Sequence, residues 1–367
     1  MRCVAHTLQL AVIDSLKDPS ITKLLDRVRC LVRKLRNQTY LYLIKKENLN
    51  MPILDCLTRW HSTLDMLERI NYLKSFVQNM SANDSKLRKF CLNNFEWNQI
   101  EIISNVLLPA KICTKKLQSE QLTLTDFYGA WIGCKIQTKK ITASFAQKLL
   151  QCMKNRELHI MNNKALISAV FLDPRYKIIL TEEQSITAIN HLINLWIHIK
   201  ILEKENESTI FTDDNFENSD NLSEISSNLN SNDDIEEFLK SQDLTELGDQ
   251  SSLILSSSQK STISTRIESL IKSYHIEQKR IGYKTNILKF WKSMEHVHPE
   301  LYELATVVFS VPGTQVSVER LFSGLKFILS PYRTNITAHN LEDQLIVRTN
   351  RKFENKEKKK YVLLIMN

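Results

Sequence analysis

Apolar side chains recur along most of the chain at intervals of three and four residues, the spacing that lines one face of a helix. Over 21–35, Ile21, Leu24, Leu25, Val28, Leu31, Val32 and Leu35 form such a stripe. Lys23, Arg27, Arg29, Arg33, Lys34 and Arg36 fall on the other side. Trp60, Leu64, Leu67, Ile70, Leu73, Val77 and Met80 hold one register and predict a single helix over 60–80. Further helices are expected around 96–118, one or two between 128 and 153, and another ending near 203. Thr181 and Gln184 have the capping-box spacing that opens this last helix, followed by Ile186, Ile189, Ile193, Trp196 and Ile197. The opening, 3–16, is apolar and reads as helical. No stretch alternates convincingly as a strand. The chain's 6 Gly and 7 Pro are few enough to favour long helices over a turn-rich β fold.

The pattern stops at about 204. Residues 204–262 are rich in Ser, Asn, Asp and Glu and bury too little apolar surface to offset the entropy of ordering, so this segment is expected to be disordered. Its short apolar patches, 235–239 and 253–255, read as transient helices or docking motifs. Helical patterning returns near 264, with at least three more helices over 287–365. Charge divides at the same place. Residues 203–262 hold 15 Asp/Glu against 3 Lys/Arg, a net −12, which leaves +20 on the remainder of a chain whose total is +8. A basic body suits a protein that meets a polyanion, although solubility alone would also explain it. No apolar run reaches membrane-spanning length, and no secretory signal opens the chain. Seven scattered cysteines without a Cys-x-x-Cys pair are expected to be reduced thiols.

Four stretches carry a family resemblance. They are Arg2-Cys3-Val4-Ala5-His6-Thr7-Leu8-Gln9-Leu10; Thr58-Arg59-Trp60-His61-Ser62-Thr63 with Met66-Leu67; and Phe171-Leu172-Asp173-Pro174-Arg175-Tyr176-Lys177. The fourth runs from Phe290-Trp291 through His298-Pro299-Glu300-Leu301, Leu304-Ala305 and Ser310-Val311-Pro312 to Ser317-Val318-Glu319-Arg320-Leu321-Phe322-Ser323, then Arg333 and Asn350. In this order they resemble the hAT transposases and their domesticated relatives, the BED zinc-finger proteins. The resemblance implies a ribonuclease-H-like core interrupted by a large helical insertion and a C-terminal dimerisation region. The fold expected here is therefore mainly α: the helical insertion domain, an incomplete catalytic core and a C-terminal helical dimerisation region. The expected divisions are 1–203 for the insertion, 204–262 for the acidic loop, 263–286 for a helical connection and 287–367 for the dimerisation region.

The family cuts DNA with two Asp and one Glu around divalent metal. The resemblance maps the Glu onto Glu319, while the family's two Asp lie upstream of the Cys-x-x-His motif near which this chain begins. The expectation is a non-enzyme with Glu319 as a remnant acid, no metal site and no cofactor, Mg²⁺ entering only if the missing acids are supplied. Cys3 and His6 lack a second ligand pair for zinc and read as structural, and His296 and His298 read as surface residues. Asp173 precedes Pro174, which takes it out of helical geometry, so it reads as a turn or cap residue.

Trp60 is open to two readings: the resemblance gives its counterpart a base-stacking role, while its apolar register places it in the core. Arg59, Lys23, Arg27, Arg33 and Lys34 are the expected phosphate contacts, with a solvated helix face as the alternative. Leu301, Leu304, Val311, Leu321 and Phe322 are the expected dimer contacts, with packing inside the monomer as the alternative. The function expected is a transposase-derived, dimerising nuclear protein with general DNA affinity, serving in transcription regulation; the alternatives are an interaction scaffold built on the acidic loop, or a fragment of an active transposase. Expected partners are a second copy and DNA through non-specific contacts, with no membrane and no small-molecule substrate.

Overall fold

The basic-faced stripe becomes α2, Pro19–Leu35, and the seven apolar residues read from the sequence are the ones it buries. Its start is set by Asp18, whose side chain accepts from the Ser20 amide, and by Pro19, whose missing N–H costs nothing in the first turn. The computed structural model describes residues 4–56, 59–119, 122–207, 233–243, 262–313 and 336–347. Among them every regular element is a helix.

Before α2 lies α1, Val4–Leu16; after it come α3, Gln38–Lys46, α4, Trp60–Tyr72, α5, Lys74–Asn83, and the single turn α6, Ser85–Arg88. The single helix expected over 60–80 is thus two. The chain bends at Leu73, whose φ of −84° and ψ of 3° leave the helical region. The bend keeps Leu64, Leu67, Ile70, Leu73, Phe76 and Val77 all buried, so apolar spacing alone does not betray it.

The 24-residue α7, Asn94–Leu117, is opened by a capping box in which Asn93 and Glu96 satisfy each other's amides. α8, Leu124–Lys139, and α9, Ser144–Ile160, follow, then α10, Lys164–Phe171, and a 3-10 turn at Lys177–Ile179. Thr181 and Gln184 make both bonds of the expected box at the head of α11, Glu182–Glu207, which runs past the expected end near 203. Three more helices complete this part: α13, Thr262–Glu277, α14, Ile287–Ser293, and α15, Pro299–Ser310.

The segment expected to be disordered needs a correction. Within it, Asp233–Asp243 is a helix, α12, with Ile235 and Leu239 buried. The patch at 253–255 lies outside the described residues.

Residues 1–313 form one compact unit and 314–367 a second, in which the described helix covers 338–347. In the first unit α1 packs on α7 and α9, α7 on α4 and α8, and α10 on α8, α11 and α15. No helix among the described residues is long and apolar enough to cross a membrane. The six described cysteines are free thiols.

Candidate nucleic-acid interface

The basic side of α2 does not behave as one surface. Arg29 folds onto the 47–59 connection, where Nε and Nη2 donate to Asp55 at 3.0 and 2.7 Å and Nη1 reaches Asp26 at 2.8 Å. Thr63 Oγ1 donates to the same Asp55 carboxylate. Burial would raise the Asp55 pKa, but the Arg29 bond and charge hold it below the ordinary carboxylate range. Arg29 is therefore a strut between α2 and α4, and no phosphate ligand. Lys34 is half-buried, its ammonium 5.6 Å from the centre of the Tyr40 ring and 5.7 Å from that of Phe90. Arg27 pairs with Glu96 at 2.9 Å and donates to the Cys91 carbonyl. Lys23 and Arg33 are exposed and make no ion pair among the described residues.

Lys23 and Arg27 line an open groove of about 860 Å³, together with Lys17, Lys89, Phe90 and Asp26. Asp26, the carboxylate among them, is engaged by Arg29. Lys17 pairs with Asp14 and Arg27 with Glu96, so the groove's positive field comes from Lys23 and Lys89, both exposed and without an ion pair among the described residues. Phe90 adds a ring 37% exposed beside them. Lys17, Lys89 and Phe90 were not among the expected contacts. They come from the ends of other elements, and the visible signal was the cluster Lys86-Leu87-Arg88-Lys89-Phe90, which spans the end of α6.

Trp60 opens α4 and is 2% exposed, its ring centre 3.9 Å from that of His61. As folded it offers no face to a base: the core packing implied by its register is what the structure has, and its place among DNA contacts is corrected accordingly. Arg59, immediately before it, is exposed. The expected dimer contacts divide. Leu301 and Leu304 are 1% and 0% exposed on the side of α15 that meets α10 and α11, so they belong to the monomer's core. Val311 is half-buried against that core. Glu319, Leu321, Phe322 and Cys3 lie outside the described residues. His6 is exposed, and among the described residues no group of three His, Cys, Asp or Glu is placed to hold a metal.

The Leu-Asp-Pro-Arg-Tyr-Lys motif is a structural hub. Asp173 Oδ1 accepts from the Arg175 amide at 2.9 Å, closing the turn read from the sequence. The Arg175 guanidinium then donates to both Asp173 oxygens, to Asp126 Oδ1 at 3.0 Å and to the Thr285 carbonyl at 3.1 Å. Burial opposes its charge, but Asp173 outweighs burial and the guanidinium pKa is raised. The Leu172 carbonyl accepts from Tyr274 and from the Trp291 indole, and Lys177 donates to the His275 and Gln278 carbonyls.

Against this geometry stand two family matches. Residues 1–106 match the model of the ZBED1 RNase-like helical domain, and residues 267–350 match the hAT family C-terminal dimerisation region. The chain is a transposase-derived protein of the hAT/ZBED kind. Both matches sit on motifs that carried the resemblance: Arg59 and Trp60 fall in the first, Glu319 in the second. The basic groove of this transposase-derived chain, from Lys17 to Phe90, lies wholly within the helical-domain match. The hub at 171–177 lies between the two matches and bonds to residues of the second. No curated protein matches the chain.

Proposed function

We propose that this transposase-derived chain is a dimerising nuclear protein that holds DNA through its phosphate backbone and does not by itself cut it. The observation that carries the reading is the groove on α2, where Lys23 and Lys89 stand exposed beside Lys17 and Arg27 in a body of net charge +20 outside the acidic segment. Contacts of this kind are independent of sequence and weaken steeply with salt. Dimerisation rests on the match over 267–350, together with the apolar residues that the helix over 338–347 leaves exposed, Ile346 at 51% and Val347 at 64%.

The test is fluorescence anisotropy of a labelled duplex across a salt series. Binding should fall linearly in log–log form, and Lys23→Glu with Lys89→Glu should flatten the slope by about 2 and weaken binding to all sequences alike. A salt-independent affinity, or none at low salt, would sink the DNA reading. Light scattering that gives a clean monomer would sink the dimer, and protein-dependent nicking in Mg²⁺ or Mn²⁺ would sink the non-cutting reading.

A further inference from the structure

α12 lies inside the stretch whose net charge is −12, yet it is seated as an amphipathic helix on the first unit. Ile235 and Leu239, one turn apart, are buried to 2% and 0% exposure, and Phe238 packs half-buried beside them. The seat is formed by α8 and the 3-10 turn at Lys177–Ile179. Its floor is Gly133 of α8: a Cβ there would approach Ile235 Cδ1 to 2.8 Å and would meet no other residue within 4 Å. Charge fixes the register. Glu236 pairs with Arg280 at 2.8 Å and accepts from the Tyr283 amide at 3.0 Å, and Asp234 meets Lys140 at 2.5 Å. An apolar slot for residues four apart, a glycine floor and two flanking cations are the parts of a groove that reads an amphipathic helix.

α12 has 11 residues, a length at which a helix alone in water is marginal. It joins α11 through residues 208–232 and α13 through 244–261, connections of 25 and 18 residues. We propose that this groove is a binding site for acidic amphipathic helices of the pattern Asp-Ile-Glu-x-Phe-Leu, and that α12 is its built-in, exchangeable ligand. A partner helix with that pattern takes the groove by displacing α12. The inference stands apart from the DNA reading, since it uses neither α2 nor its groove.

The experiment adds a fluorescent peptide of residues 233–243 to the full chain and to its Ile235→Asp/Leu239→Asp variant. In the intact chain the tethered α12 competes at an effective concentration on the order of millimolar, so the variant should take the peptide at least about ten-fold more tightly. Adding Gly133→Leu to the variant should abolish that binding, and adding Arg280→Glu should weaken it by about ten-fold or more. A folded variant that takes no peptide, or one whose binding ignores Gly133→Leu, overturns the proposal. Hydrogen exchange on the intact chain covers the case in which the double variant does not fold. Amides of α12 should exchange well before those of α8. Equal protection would make α12 part of the core and end the idea.

Discussion

Replacing Arg175 by Met tests the hub directly. Asp173 is fully buried, and the guanidinium that neutralises it is 6% exposed. Methionine keeps much of the side-chain volume and removes the charge. The Asp173 carboxylate then retains the backbone amide of residue 175 but loses all three guanidinium bonds, while Asp126, Thr125 and the Thr285 carbonyl each lose a donor. An ion pair broken on one side in a dry site costs about 3–5 kcal/mol, much of it from the charge left behind. Domains of this kind hold about 5–15 kcal/mol in total, so the loss would take a large share. All five tryptophans lie in residues 1–313, so urea unfolding followed by indole fluorescence reports this unit alone. Adding Asp173→Asn should recover part of the loss, because an amide needs no counter-charge and an unmade hydrogen bond costs about 1–3 kcal/mol. A change below about 1 kcal/mol in Arg175→Met, the size seen for surface pairs, would refute the argument. So would a double variant no better than the single.

Gly129 faces the Tyr176 hydroxyl so closely that a Cβ has no room, and Tyr176 is 1% exposed and cannot withdraw, so Gly129→Ala should lose about 1–3 kcal/mol despite its better helix propensity, read by the same urea titration. Burial lowers the pKa of His61, His191 and His275, aided for His191 by Lys164 and for His275 by Lys177. The unfolded chain therefore binds protons more readily, and the stability these groups give is full above their unfolded pKa of about 6.5 and is lost as pH falls below it. Unfolding free energy measured by urea titration should decline from pH 7.5 to 5.5, and His275→Phe should shallow that decline. Leu304→Ala should cost about 2–5 kcal/mol in urea while leaving the native mass by light scattering unchanged, because Leu304 packs inside the monomer; a change of oligomeric state would return it to an interface.

What the sequence made legible was local. The stripe of α2 and the Thr181–Gln184 box depend on residues within one or two turns, and both stand as read. The bend at Leu73 escaped because it preserves the apolar spacing on either side. α12 was legible only as a transient helix or docking motif at 235–239, because its lasting burial depends on a groove more than 90 residues earlier, at Gly133. The candidate site divided for the same reason. Exposure of Lys23 follows from helix geometry, but whether a cation is free depends on partners from elsewhere: Asp55 takes Arg29, Glu96 takes Arg27, and Phe90 with Tyr40 takes Lys34. Charge counting along one helix cannot see those claims.

The hub also changes how the C-terminal match should be understood. Its first part, 267–313, is built into the helical unit: Tyr274 and Trp291 donate to the Leu172 carbonyl, Arg175 holds the Thr285 carbonyl, and Lys177 caps the end of α13. Ion pairs extend the same tie, from Lys200 of α11 to Glu303 and from Arg266 of α13 to Glu300. The apolar faces of α14 and α15 are thereby committed within one chain, Trp291 at 3% and Leu304 at 0% exposure. Apolar area already removed from water offers nothing further to a second copy. An interface built on this match must therefore draw on surface those helices leave open, such as Val307 at 36%, or on residues beyond 313. In physical terms residues 267–313 are part of the helical unit, and pairing must be sought on the surface they leave open or on the residues that follow them.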